Sequence, residues 1–422
     1  MLSKLISGDF SKGVFWNIGS FAFLGIAGIA LNFIIGQYYG PVTLGIFNQV
    51  FAIYIIFSQI SSLGIHLSVV KHTAEFADEK IIKNNILVAA VYLVSSISLV
   101  ICLVLYLLAP IISGIMNSAD LENGLAYASL SIIFFSINKV FLGYLNGSSW
   151  MRSYAFFQSL RYGLLLIFII VLISINRSGY DVSSILLWAE LSLFNFLISF
   201  FIYKKLIIFT LPKQNWLKKH LSFGAKAALG GVVTELNTRV DVLVLGFFTS
   251  DYIVGIYSFA AILAEGFFQL TTVFRINFNP LLAQNIAKGN LAELRTIRLK
   301  TVNKVYPFVV AAGVMAIAFF PVICFLFFDQ DYLKGLIPFS ILILGMVISF
   351  RLLVYGNILS QGGYPGRETM VTFFTVSCNF ILNVVMIPTW GMEGAAVSTA
   401  LATLVNALII KFFAKSVYGV EI

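Results

Sequence analysis

The chain has 422 residues, of which 59% are hydrophobic and 11% charged, with a mean hydropathy of +0.96. Soluble domains carry roughly a quarter charged residues, so a water-soluble globular fold is excluded. The formal net charge of +9 therefore needs an explanation in a membrane setting. Apolar blocks of about 20 residues or more, separated by short polar gaps, indicate an all-α polytopic membrane protein with room for about twelve spans.

In chain order, residues 1–13 contain Lys4, Asp9 and Lys12 and read as a cytoplasmic or interfacial segment before an uncleaved first span. Spans are predicted at 14–36, 44–68, 86–108, 122–145, 155–175 and 183–203, an N-terminal six-helix bundle over 14–203. Residues 204–222 form a basic cytoplasmic connector with Lys204, Lys205, Lys213, Lys218 and Lys219. A C-terminal six-helix bundle over 223–414 has spans at 223–248, 252–277, 304–328, 334–358, 368–388 and 394–414. A cytoplasmic tail, 415–422, follows.

The 27 Lys and Arg segregate strongly against this topology. Twenty fall on the side of the termini, two (Arg177 and Lys334) on the other, and five inside apolar blocks. Basic residues are retained on the cytoplasmic side during insertion, so both termini are expected in the cytoplasm. The positive charge is then a topology signal with attraction to anionic headgroups, and no nucleic-acid partner is implied. Cys102, Cys324 and Cys378 lie in apolar blocks and suggest neither a disulfide framework nor a thiolate site. His66, His72 and His220 lack metal-ligand spacing, so no metal site and no cofactor is expected. Phosphate-loop, nucleophile-elbow and zinc-helix motifs are missing. Any driving force is expected from an ion gradient, the membrane potential or consumption of product, and the chain is not read as an enzyme.

An internal repeat is visible. Gly36, Leu44-Gly45-Ile46-Phe47 and Gln59 recur 210 positions later as Gly246, Val254-Gly255-Ile256-Tyr257 and Gln269. Asn146-Gly147 and Arg152 recur more weakly as Gln361-Gly362 and Arg367. Both matches favour two six-span halves repeated in parallel.

The predicted spans contain Lys139, Arg161, Glu190, Glu235, Arg239, Asp241, Glu265, Arg275 and Arg351. A charge at a span centre costs roughly 2.5–3.5 kcal/mol on insertion scales, so these groups must pair, snorkel or line a wet cavity. Glu235 and Arg239 are four apart, acid first, the favourable order for a pair on one helix face. Asp241 points elsewhere and needs a partner on another helix or water. Glu190 and Glu265 suit either bracing or coupling, and Arg161 and Arg275, near span ends, suit either snorkelling or substrate contact. Lys139 and Arg351 lie 212 apart, in near-equivalent places of spans four and ten. One cation from each half suits a diphosphate, and both also suit a topological role. Asn17 and Asn32 lead a set of first-half amides suited to sugar hydroxyls or to helix–helix contacts.

Three stretches carry a resemblance: Gly36-Gln37-Tyr38-Tyr39-Gly40-Pro41 with Leu44-Gly45-Ile46-Phe47; Arg239-Val240-Asp241 through Gly246 to Val254-Gly255-Ile256-Tyr257-Ser258; and Gly391-Met392-Glu393-Gly394-Ala395-Ala396-Val397-Ser398-Thr399. With these the chain resembles, over its whole length, the polysaccharide flippase branch of the multidrug/oligosaccharidyl-lipid/polysaccharide exporter superfamily. The resemblance implies two pseudo-equivalent six-helix bundles around a central cleft, working by alternating access. It implies carriage of an undecaprenyl-diphosphate-linked glycan across the bacterial inner membrane for O-antigen, capsule or related polysaccharide, beside a polymerase and chain-length machinery. It points to Lys139, Arg351, Arg239 and Arg275 as diphosphate or sugar contacts and to Asp241, Glu235 and Glu265 as coupling acids. Span one carries no charge, so its contribution would come through Asn17 or Asn32. The competing readings are a cation-coupled drug exporter of the same superfamily and a membrane glycan polymerase or ligase; short outward loops disfavour the latter.

Overall fold

A computed structural model describes residues 8–288, 291–353 and 356–418, and among these all regular structure is helical. The helices are α1 (Gly8–Ser62), α2 (Ile65–Glu75), α3 (Lys80–Ile115), α4 (Ala119–Gly147), α5 (Met151–Ser174), α6 (Ser184–Tyr203), α7 (Gln214–Phe248), α8 (Asp251–Lys288), α9 (Leu291–Phe327), α10 (Leu336–Leu353), α11 (Ile358–Gln361) and α12 (Pro365–Tyr418).

Among the described residues nine helices are long and apolar enough to cross a membrane. Two of them, Phe15–Ser62 and Gly366–Phe413, have 48 residues each, about twice one crossing. Each breaks at a glycine with positive φ, Gly40 (80°) and Gly391 (56°), where a side chain would be strained. The arms of α1 lie against each other, since Asn48 Nδ2 donates to Asn32 Oδ1 at 2.9 Å. Those of α12 do too, a Cβ on Gly394 falling 2.5 Å from the Met386 carbonyl oxygen. Each long helix is thus a hairpin of two crossings. α7, interrupted by Glu235, Arg239 and Asp241, falls short of that apolarity and covers the remaining expected span, 223–248.

The expected span 44–68 is corrected: α1 ends at Ser62, and Leu63 and Gly64 have φ of 41° and 63° before α2 begins. The expected span 252–277 lies within the longer helix α8, and 304–328 begins inside α9, which starts at Leu291 and ends at Phe327, because polar residues that bound a hydropathy block do not bound a helix. Four helix ends share one cap. Asn117, Ser149, Asn176 and Lys205 have positive φ, and the next N–H reaches back to the carbonyls of Ser113, Leu145, Leu172 and Phe201. This Schellman arrangement satisfies carbonyls left open at the helix end.

Contacts divide the chain into two compact units, Met1–Tyr38 with Ile46–Glu235 and Tyr39–Gly45 with Leu236–Ile422. In the first, α4 packs on α2, α3, α5 and α6; in the second, α10 packs on α8, α9 and α12. The spans four and ten of the sequence repeat are therefore each the hub of their unit. Residues 39–45 join the second unit through a close backbone crossing. A Cβ on Gly45 would collide with the Asp251 carbonyl oxygen and meet the Gly255 nitrogen at 2.9 Å. One on Gly255 would collide with the Pro41 carbonyl oxygen and meet the Gly45 nitrogen at 3.1 Å. Positions 41 and 45 answer 251 and 255 at the 210-residue offset, so the contact is reciprocal, as across a local two-fold axis.

α7 is shared, residues up to Glu235 lying in the first unit and those from Leu236 in the second. Its early turns sit directly on the α1–α2 break: a Cβ on Gly64 would lie 2.8 Å from the Gly224 carbonyl oxygen, and one on Gly224 would collide with that of Leu63.

Candidate functional site

Four of the charges expected inside spans gather in the first unit around α4. Phe135, Asn138 and Lys139 stand at i, i+3 and i+4 and so share one face of that helix. Arg161 of α5 places Nε 2.8 Å from Oε1 of Glu190 on α6. Glu190 is only 4% exposed, and Asn138 Nδ2 donates to both its Oε2 and its backbone carbonyl at 2.9 Å. The guanidinium also lies over the Phe135 ring, 4.4 Å from its centroid. A buried carboxylate left alone carries a large desolvation cost, and here ion pair, amide and ring fix it in one geometry. Arg161 is thus engaged in an ion pair rather than snorkelling.

Beside this fixed pair runs a second row. Lys139 Nζ donates to Gln59 Oε1 at 2.8 Å, and Gln59 Nε2 donates to Glu235 Oε1 at 3.0 Å. Lys139 also faces the Phe135 ring at 5.1 Å, so one aromatic ring is flanked by two cations. An amide can accept from an ammonium and donate to a carboxylate at once, which lets Gln59 join opposite charges that do not touch. Gln59 lies in the last turn of α1 and Glu235 at the end of the α7 stretch belonging to the first unit. Lys139 and Glu235 are both half-buried.

In the second unit the partner that Asp241 required comes from α8: the Tyr257 hydroxyl donates to Oδ2 at 2.6 Å, and the Val242 N–H to Oδ1 at 2.9 Å. Tyr257 is fully buried. Arg351, exposed at the end of α10, stands 4.0 Å from the centroid of the Tyr306 ring. Arg239 is half-buried and Glu265 exposed. The side chain of Arg275 lies outside those described. Lys139 and Arg351 belong to different units, each beside an aromatic ring.

The amides divide. Asn32 donates to the Gly28 carbonyl at 3.0 Å while accepting from Asn48, so it closes the α1 hairpin. Asn17 reaches the Met151 sulfur at 3.8 Å. Sequence reasoning missed Asn138, although it adjoins Lys139, and held Gln59 only as one of the first-half amides and a repeat position. Among the described residues no three His, Cys, Asp or Glu side chains gather as metal ligands.

At the start of α7, outside the spans, His220 is fully buried. Its Nε2 donates to the Ile86 carbonyl at 3.0 Å and its Nδ1 accepts from the Ser68 hydroxyl at 2.9 Å, a neutral ring assigned from its partners. Burial lowers its pKa to about 4. On α2, His72 Nδ1 lies 2.9 Å from Glu75 Oε2, and this hydrogen bond holds the Glu75 carboxyl below its usual range.

Comparison with known proteins gives a family and a fold. The model of the family described as "Polysaccharide biosynthesis protein" matches residues 10–265. The "Probable low-salt glycan biosynthesis flippase Agl15" of Haloferax volcanii is 22% identical over 182 residues, 43% of this chain and 39% of that protein. The match therefore spans well under half of that relative. Among solved structures, an inward-facing multidrug resistance MATE family transporter of the MOP superfamily superposes with a TM-score of 0.74 at 15% identity, covering 93% of this chain and 94% of the other. The "Lipid II flippase MurJ" in an inward closed conformation gives 0.75 at 16% identity, covering 95% and 87%. At these identities the likeness is one of fold, that of a multi-pass membrane transporter.

Proposed function

We propose that this chain, which belongs to the polysaccharide biosynthesis protein family, is a flippase that moves polyprenyl-diphosphate-linked oligosaccharide from the cytoplasmic to the outer leaflet of a plasma membrane. The family match, covering 256 of 422 residues by its bounds 10–265, is the observation that carries this reading. The host membrane is proposed to be the bacterial inner membrane, as the resemblance implies, with both termini cytoplasmic in keeping with the segregation of Lys and Arg. O-antigen, capsule or a related polysaccharide is the proposed product, with the polymerase downstream.

Roles for individual residues are part of the proposal. Arg161 and Glu190 neutralise each other and act as a fixed brace. The hydrogen-bond partner of Lys139 is a neutral amide, so an incoming phosphate oxygen can replace Gln59 there with a stronger, charge-assisted bond. Occupancy at Lys139 then frees Gln59 and alters the surroundings of Glu235 on α7, the helix that continues into the second unit. Arg351, with Arg239 and Arg275, is the proposed cationic complement in the second unit, and Asp241 and Glu265 are the proposed coupling acids.

The test is a reconstituted one. Purified protein in liposomes is given a polyprenyl-diphosphate oligosaccharide, and transbilayer movement is followed by access of an added glycosidase. Movement above protein-free liposomes, lost in Lys139→Ala, is expected. No movement of the glycolipid, with drug efflux under a cation gradient instead, would replace this reading by that of a drug exporter.

A further inference from the structure

On the first unit, away from the charged cluster, a groove of about 360 Å³ opens between the ends of α5 and α6, beneath the short 3₁₀ turn Gly179–Asp181. That volume is at the lower end for small-molecule sites, roughly 300–1,000 Å³. Phe168 and Leu172 of α5 form an apolar wall, Tyr127 of α4 and Trp188 of α6 are the aromatic edges, and Arg177 and Asp181 stand at the polar rim. Trp188 is 49% exposed although it is large and apolar. Arg177 is one of two Lys or Arg that the topology places on the side opposite the termini.

The rim charges decide the chemistry. Arg177 and Asp181 line the same opening without an ion pair between them; the Asp181 carboxylate instead accepts from the Ser178 hydroxyl at 3.3 Å. A cation and an anion held apart above an apolar wall complement an amphiphile with both charges in its headgroup. Two tyrosine- and tryptophan-type rings at the end of spanning helices mark the depth where headgroup meets acyl chain. A headgroup with phosphate alone satisfies Arg177 and is repelled by Asp181. A quaternary ammonium brings charge to Asp181 without an N–H to donate. A phosphate next to a primary ammonium satisfies both.

We propose that this groove binds a membrane lipid whose headgroup pairs a phosphate with a primary ammonium, phosphoethanolamine in class, with the start of an acyl chain along Phe168 and Leu172. The site is independent of the proposed transport cargo.

The experiment uses the full chain, purified and delipidated in detergent. Dioleoyl phosphatidylethanolamine, phosphatidylcholine, phosphatidylglycerol and a polyprenyl monophosphate are added separately, and bound lipid is counted by native mass spectrometry. Phosphatidylethanolamine is expected to be retained about fivefold over the others, which is about 1 kcal/mol, the upper range for an exposed charge pair. Arg177→Gln is expected to lower retention about fivefold, and Asp181→Asn to level phosphatidylethanolamine with phosphatidylcholine. Arg177 is exposed and Asp181 half-buried, and unchanged melting of the delipidated variants confirms that they fold. Equal retention of the diacyl lipids, preferential retention of the polyprenyl phosphate, or unchanged retention of phosphatidylethanolamine in Arg177→Gln would overturn the proposal.

Discussion

Replacing Gln59 with Leu removes both hydrogen bonds of the Lys139–Gln59–Glu235 row while keeping a side chain of similar length between α1, α4 and α7. Hydrogen bonds to charged groups are worth roughly 1.5–3 kcal/mol each. Lys139 and Glu235 are half-buried, so water recovers part of that, and a net loss of about 2–3 kcal/mol is expected for the two bonds at 2.8 and 3.0 Å. The assay is thermal unfolding of the purified protein in detergent, where Gln59→Leu should lower Tm by a few degrees. Gln59→Glu keeps the bond to Lys139 but sets a second carboxylate against Glu235, so it should also destabilise. Combined with Glu235→Gln, it restores one cation, one carboxylate and one amide in the row and should return Tm close to the parent. An unchanged Tm in Gln59→Leu, or an exchanged pair no more stable than Gln59→Glu alone, would refute the bridging role.

Further outcomes follow from the same physics. Arg161→Ala leaves Glu190 buried without its cation and should cost about 3–5 kcal/mol, read as lost Tm or lost folded yield, with partial recovery on adding Glu190→Gln. His220 has a folded pKa of about 4 against about 6.5 unfolded. Its neutral form therefore stabilises fully above pH 6.5, and that contribution, about 3 kcal/mol at most, is lost as pH falls through 4. Melting followed from pH 7 to 4 should show this slope, and His220→Gln should flatten it. Gly255→Ala drives a Cβ into the Pro41 carbonyl and Gly45→Ala drives one into that of Asp251, so each should cost more than about 3 kcal/mol. Gly366→Ala, which opens onto free space, should be near neutral.

The fold was legible because a bilayer imposes length and apolarity on each crossing. The block count, the Lys and Arg distribution and the 210-residue repeat are all consequences of that constraint. The repeat's glycines were legible as a pattern but not as a contact: only three-dimensional packing shows Gly45 and Gly255 crossing backbone to backbone. The break at Leu63–Gly64 was hidden, because Ile65, Leu67, Val69 and Val70 keep the sequence apolar past the helix end. Within the candidate site, hydropathy marked Lys139, Arg161, Glu190 and Glu235 as anomalies, yet their pairing depends on which helices adjoin. Arg161 and Glu190 come from neighbouring helices facing α4, which no spacing rule gives. Gln59 was not singled out from the other first-half amides, because an amide costs less in a membrane than a charge and so stands out less. Tyr257 belongs to the repeat and to the stretch carrying the resemblance, but a phenol in an apolar block reads as packing until Asp241 is found 2.6 Å away.

The central claim, that this chain moves a lipid-linked glycan, is tested most directly in cells lacking the gene, by measuring the lipid-linked oligosaccharide pool and surface polysaccharide together. The account predicts accumulation of complete repeat units on the polyprenyl carrier at the cytoplasmic leaflet with loss of surface polymer, reversed by the parent gene and not by Lys139→Ala. An unchanged pool with normal surface polysaccharide would contradict it.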